Sequence, residues 1–332
     1  MDKQATSGQP FWVLGAPRIF WDANPKQRCV EFCDHVDASY YEVVASSLVS
    51  VLNATDDDAT IRRLDAAIRF FYLHAQETLF TSLLALVQAP TAVVPYFSLL
   101  NNAKLLEAVG KISRGEFDYG INVNELEIVT WKTLSNLVHM PVRSATGWDV
   151  TTRQFASFWE EEAAFYTSEL PTREYNALKH SSRVFPQAFK FHVQSHTSIA
   201  GDSAESTLRE ASAGDHGSQF FAVEPMLNVR EAARGVHITV SHQAINWDRQ
   251  RVLYRLQLLS CSIANTMRTI RLMNDPTDVG GHKRPENQEI FALVNHTGAG
   301  MRDLNIHFPI ELPKENQYSA DEVAAMLPKI RR

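Results

Sequence analysis

Apolar residues recur every three to four positions over six long stretches of this chain, and that periodicity most constrains its fold. From Asp37 to Leu52, the residues Tyr40, Val43, Val44, Leu48 and Val51 mark one face of an amphipathic helix. Thr55 followed by Asp58 predicts an N-cap with acids in the first turn. The helix opened there runs to Ala89, where Pro90 closes it, with a stripe of Ile61, Leu64, Ile68, Phe71, Leu79, Leu83 and Leu86. A third helix covers Val93 to Ile112 and ends before Gly115. A fourth covers Glu125 to Val138, and a fifth Thr151 to Glu169 ahead of Pro171. A shorter sixth lies between Pro171 and Pro186, with Pro171 suited to its first turn. From Trp247 to Met273 one stripe carries Val252, Leu256, Leu259, Ile263, Met267 and Ile270, which predicts a central, buried helix.

The texture changes after residue 186. Phe189, Phe191 and Val193 alternate with Lys190, His192 and Gln194, which is strand spacing, and Ser218–Val223 and Val236–Val240 read the same way. The small polar residues from Thr197 to Gly217 predict a loop, as does the Gly/Pro/Asp-rich stretch from Asn274 to Pro285. Ser319 with Glu322 three residues on forms a capping box for a last short helix. The fold class is therefore mainly α, a helical bundle with a small antiparallel β insertion. The expected organisation is an irregular N-terminal arm over 1–35, a bundle over 36–275 with the insertion at about 187–242, and a C-terminal extension over 276–332 packing on the bundle. A doubly wound sheet is disfavoured, because strands and helices do not alternate.

The chain has 332 residues, 45% apolar and 21% charged, enough to build a sizeable core. Its longest apolar run, Leu83–Val87, is far short of the ~20 residues of a spanning helix. The polar start, Met1–Pro10, lacks the apolar segment of a signal peptide, and Cys29, Cys33 and Cys261 form no Cys-x-x-Cys pair. These features predict a soluble, cytoplasmic protein with no membrane partner. The net charge of −6 argues against indiscriminate binding to nucleic acid. It is unevenly spread: residues 1–170 carry 13 basic and 21 acidic side chains, residues 171–332 carry 19 and 17. Arg249, Arg251, Arg255, Arg268 and Arg271 fall in one stretch without an acid. That run reads as a solvated helix face paired with acidic neighbours, or more sharply as a local surface for an anionic ligand.

No phosphate-cradling Gly-x-x-x-x-Gly-Lys loop, dinucleotide-binding Gly-x-Gly-x-x-Gly turn or Gly-x-Ser-x-Gly elbow is present, which disfavours kinases, Rossmann oxidoreductases and α/β-hydrolases. Of twelve histidines, His192, His196, His216, His237 and His242 fall in the β insertion, and neighbouring strands could gather them around a metal. His192 and His196 would sit about 13 Å apart along a strand at ~3.3 Å per residue, and a surface or hydrogen-bonded histidine is the commoner explanation. No metal ligand is assigned. A di-iron carboxylate bundle needs Glu-x-x-His pairs, none of which occur, and Glu160–Glu162 reads as a solvated run.

The sixth helix is more informative. On a helix, Arg173 and His180 stand two turns apart on one face, with Asn176 between them and Arg183 a further turn on. Tyr175, Ala177 and Leu178 supply its buried side. Arginine offers a planar, permanently charged fork for a phosphate, and histidine exchanges a proton near neutrality. The plain alternative is an exposed basic helix face or a structural histidine.

This Arg-x6-His arrangement in a helical bundle resembles the Arg-x4–6-His motif of the HEPN superfamily. The string Glu174-Tyr175-Asn176-Ala177-Leu178-Lys179-His180 also resembles bacterial helical proteins with a Tyr-Asn-x-x-Lys-His segment followed by Arg. The likeness covers about a dozen residues and the helical architecture. It implies a metal-independent endoribonuclease of a toxin or defence system, with no cofactor. Arg173 and His180 would be catalytic; Asn176, Lys179 and Arg183 would bind substrate. It further implies RNA as a partner, a homodimer, and an antitoxin or regulatory partner. Active members usually carry Asn, Asp or His directly after the Arg, where this chain has Glu174. An acid there weakens RNA binding, so Glu174→Asn is expected to raise activity. Two other readings stand beside this one: a non-catalytic helical binding protein, and a metal enzyme using the histidines of the insertion.

Overall fold

The computed structural model describes residues 7–118, 128–179, 183–195, 207–212, 216–225, 237–278, 280–295, 301–306 and 318–326. The chain forms two compact units, one of Met1–Thr172 with Arg249–Thr297, the other of Arg173–Asp248 with Gly298–Arg332.

The first unit opens with an antiparallel hairpin, β1 (Ser7–Val13) and β2 (Ala16–Asp22), followed by α1 (Pro25–His35). Over its described residues, the arm expected to be irregular or a short strand is two paired strands and a helix. Leu14 and Gly15 form a two-residue turn with φ of 46° and 81°, the left-handed pair that matches strand twist. Leu14 adopts a conformation costly for a side chain, and its N–H donates to Gln88 Oε1 at 3.4 Å. Asn24 caps α1 by accepting from the Gln27 N–H, and Pro25 fills the first turn.

After α2 (Ser39–Leu52) comes α3 (Asp58–Gln88), whose 31 residues include an all-round buried stretch from Leu79 to Gln88. Its cap is Asp57, which accepts from the Thr60 N–H at 2.9 Å, rather than Thr55. The single helix expected over Val93–Ile112 is two, α4 (Val93–Leu99) and α5 (Asn102–Ser113). Asn101 breaks the pattern because its side chain accepts from the Lys104 N–H and starts a new helix. Gly115 ends α5 at a φ of +67°. α6 (Trp131–Val138) starts from a reciprocal Thr130–Thr133 capping box, and α7 (Trp148–Tyr166) follows a 3₁₀ turn at Met140–Val142. α8 (Glu169–Lys179) carries the division between the units, which falls after Thr172.

α9 (Arg249–Asn274) is the central partner of α3, and α1, α2 and α6 also pack on it. The expected stripe, Val252, Leu256, Leu259, Ile263, Met267 and Ile270, is buried throughout. Trp159 of α7 joins this core and donates its indole N–H to Ser262 Oγ at 2.9 Å. α10 (Ile290–Asn295) closes the unit against α9, and its Phe291 meets Phe155 edge-on.

The second unit holds a four-stranded antiparallel sheet in the order β3 (Val184–Pro186), β6 (His216–Pro225), β7 (Ile238–Trp247), β8 (Met301–Ile306). β4 (Lys190–Ser195) and β5 (Thr207–Ser212) form a separate hairpin, so the loop expected over Thr197–Gly217 contains a strand. Gly217 is required by close approach: a Cβ there would lie 2.8 Å from Ala188 Cα and 2.9 Å from the Ile245 carbonyl. One sheet face buries Phe220, Ala222, Gln243 and Ile245; the other exposes Phe185, Phe221, Val223, Ile238 and Val240. α11 (Ala320–Met326) starts at the expected box, in which Ser319 N–H donates to Glu322 and Glu322 N–H to Ser319 Oγ.

The C-terminal extension expected over 276–332 does not behave as one piece. Residues 280–295 belong to the helical unit, whereas β8 pairs with β7 in the sheet, with Ala244 opposite Leu304. The cause is non-local: β7 has a second edge to fill, and strand pairing recruits whichever segment reaches it. The β region accordingly runs beyond 187–242, from Val184 to Trp247. Among the described residues no helix is long and apolar enough to cross a membrane.

Candidate functional site

Helix α8 carries the residues singled out by spacing. Its start is held by Thr172 Oγ1, which donates to the carbonyls of Ser168 and Tyr166. Arg173 and Asn176, three residues apart, are half-buried and lie on neighbouring positions of one face. Lys179 is exposed, its ammonium 5.3 Å from the centre of the Tyr175 ring. Tyr175 and Ala177 are buried as expected, while Leu178 is only half-buried. His180 lies outside the described residues.

Two expectations for this helix change. The described part of the helix runs to Lys179, and Arg183 is non-helical and stands directly before β3, so Arg183 does not continue the helical stripe. The reason is strand pairing, since Val184 and Phe185 register against Phe220 and Gln219 of β6. Glu174 is completely buried and points 100° away from Arg173, among the inward positions of α8. It is therefore part of the packed side of the helix, rather than an acid displayed beside Arg173.

The histidines of the β region are spread out. His216 lies against Trp247 at 5.6 Å between ring centres, and His242 against Phe221 at 5.1 Å. Trp247 and His242 are five residues apart on β7, which separates the two imidazoles by roughly 16 Å. His237 pairs through Nε2 with the Tyr318 backbone. The side chains of His192 and His196 lie outside the described residues. Among the described residues no three His, Cys, Asp or Glu side chains are grouped to hold a metal ion.

The most elaborate polar cluster escaped the sequence reading. On α3, Asp65, Arg69, Tyr72 and Gln76 repeat at helical spacing, and all four are buried. Facing them, Glu162 of α7 is fully buried. Its carboxylate accepts from Tyr72 at 2.9 Å, from Gln76 Nε2, and from Arg255 Nη1 at 2.6 Å. Arg255 Nη2 also donates to Glu161 at 3.0 Å and to the Val294 carbonyl at 3.4 Å. Burial works to lower the Arg255 pKa, but Glu162 and then Tyr72 outweigh it and hold the guanidinium above its usual range. Burial, followed by the Glu162 charge, pushes the Tyr72 phenol well up. The Glu160–Glu162 run is therefore not uniformly solvated: Glu160 is exposed, Glu161 intermediate and Glu162 buried. The polar repeat on α3 was the available signal.

The arginine run of α9 is largely neutralised by acids. Arg249 forms a bidentate pair with Asp65, at 2.6 and 2.9 Å. Arg268 pairs with Asp278, and Arg271 with Asp34 and Asp278. Paired neighbours thus account for four of the five arginines, and the sharper reading of a surface for an anionic ligand loses its basis.

A second buried cluster surrounds His139. Its ring stacks on Phe155 at 4.9 Å, Nδ1 meets the Ser135 carbonyl at 2.9 Å, and Nε2 faces Asn265 Nδ2 at 3.3 Å. Burial lowers its pKa to about 4, so the imidazole is neutral at pH 7. Burial also raises the Cys33 and Cys261 thiols to about 12, leaving them protonated and unreactive.

Compared with known protein families, curated proteins and solved structures, the chain matches none.

Proposed function

We propose that this chain is a HEPN-like helical protein that engages RNA through α8 and cleaves it without a metal. The observation that supports this best is the division of α8 into two sides. Glu174, Tyr175 and Ala177 are buried, while Arg173 and Asn176 occupy the intermediate margin and Lys179 is exposed. A helix built this way can lay a guanidinium, an amide and an ammonium along a phosphate backbone. Arg173 would hold the scissile phosphate and stabilise its added charge. His180, next in sequence after Lys179, would exchange a proton with the ribose 2′-hydroxyl or the leaving oxygen. Asn176 and Lys179 would orient the backbone, with Arg183 contributing from the segment before β3. A homodimer with two motifs facing one cleft, an antitoxin or regulatory partner, and a cytoplasmic site of action belong to the same reading.

The test is cleavage of a mixed RNA pool in EDTA by the full chain and by Arg173→Ala and His180→Ala. Activity should persist in EDTA, yield cyclic phosphate ends, and fall ~10²–10⁴-fold in each variant while the melting temperature holds. Binding of RNA without cleavage would leave the non-catalytic reading. Activity lost with EDTA alone would overturn the metal-independent mechanism.

A further inference from the structure

The structure also holds a cleft of about 380 Å³ between α2 and α9, remote in character from the basic helix. We infer that it binds a small organic cation, an amine or guanidinium carried on an apolar ring or chain. Its volume lies at the small end of the range for ligand pockets.

Five polar side chains line the cleft: Glu42 and Ser46 from α2, and Gln250, Tyr254 and Gln257 from α9. The spacing explains why they converge. Glu42 and Ser46 are four apart, as are Gln250 and Tyr254, and Gln257 follows three residues later, so each set shares one helix face. The floor between them is apolar, with Val49 and Leu253. None of the five side chains forms a hydrogen bond or ion pair with another described residue. That separates the cleft from the rest of α9, where Arg249, Arg255, Arg268 and Arg271 are all paired with acids.

Charge decides the class of ligand. Among the described residues that line the cleft, Glu42 is the one carboxylate, it is half-buried, and none is a lysine or arginine. An anion would meet an uncompensated carboxylate, whereas an amine or guanidinium gains a charge-assisted hydrogen bond. The Gln250 and Gln257 amides and the Ser46 hydroxyl can serve neutral polar groups of the same ligand. The Tyr254 ring offers a face for a flat or cationic group.

The experiment is a titration of the nitrogen-15-labelled full chain with tryptamine, with agmatine, and with indole-3-acetate, which has the tryptamine ring and the opposite charge. Tryptamine should shift the side-chain amide signals of Gln250 and Gln257 saturably at millimolar concentration or below, and indole-3-acetate should not. Glu42→Gln keeps the size of the side chain and should weaken tryptamine about tenfold with an unchanged melting temperature. A cleft that shows no saturable shift with tryptamine or agmatine overturns the inference. So does equal binding of indole-3-acetate, or a Glu42→Gln chain that binds tryptamine as tightly as the parent. None of these outcomes depends on whether RNA is cleaved at α8.

Discussion

Arg255 donates to Glu162 over 2.6 Å in the centre of the helical unit, joining α9 to α7, with the carboxylate fully enclosed. Tyr72 and Gln76 bind the same carboxylate from α3, so three helices that share few sequence neighbours are tied at one point. A buried pair of this kind brings little net stability, because two charges leave water to form it. Its effect is on alternatives: any other rotation of α3, α7 or α9 strands a charge in the core.

Removing one partner should therefore be far worse than removing both. Arg255→Met is expected to cost ~3–5 kcal/mol in urea denaturation, since it leaves the Glu162 carboxylate buried without its cation, and Glu162→Leu somewhat less, since Arg255 keeps the half-buried Glu161. The double variant should recover most of that loss. Losses that simply add would show the two groups to be independent.

Leu259 lies midway along the α9 stripe and is completely buried. Leu259→Ala should lower unfolding free energy by ~2–5 kcal/mol through lost burial and the cavity left behind. A loss below about half a kcal/mol would contradict a central position for the stripe.

His139 should make stability depend on pH. Its folded pKa is lowered to about 4 by burial, against ~6.5 in an unfolded chain, so the unfolded state binds the extra proton between those values. The stabilisation is fully present above pH ~6.5 and is lost as pH falls towards about 4. The contribution is on the order of 3 kcal/mol. His282, also lowered by burial, acts in the same direction. Urea midpoints measured from pH 7 to pH 4.5 should decline, and His139→Phe should flatten that decline whatever its own stability.

Glu174→Asn should not behave as a simple activating change. The carboxylate is on the packed side of α8, so shortening and neutralising it should cost about 1–3 kcal/mol of stability. A melting temperature equal to the parent's, together with higher RNA cleavage, would restore the reading of Glu174 as an acid facing the substrate.

Local periodicity determined most of the helical architecture, because a 3.6-residue repeat and its caps are written within a few neighbours. The α9 stripe, the Pro90 stop of α3 and the Ser319–Glu322 box were legible that way, whereas on α2 the expected face is turned outward: Tyr40, Val43 and Val51 are exposed, and Tyr41, Ala45 and Leu52 are buried instead. Where local signals compete, the outcome was less legible: Asn101 divides one expected helix in two, and Val184–Phe185 turn from the end of α8 into a strand. Tertiary structure alone decided the pairing of β8 with β7, more than fifty residues away in sequence. It also decided which member of Glu160–Glu162 is buried, and that the α9 arginines end on Asp34, Asp65, Glu162 and Asp278. A sequence shows that charges are present, but the energy of a charge depends on what surrounds it, and only the packed helices supply those surroundings.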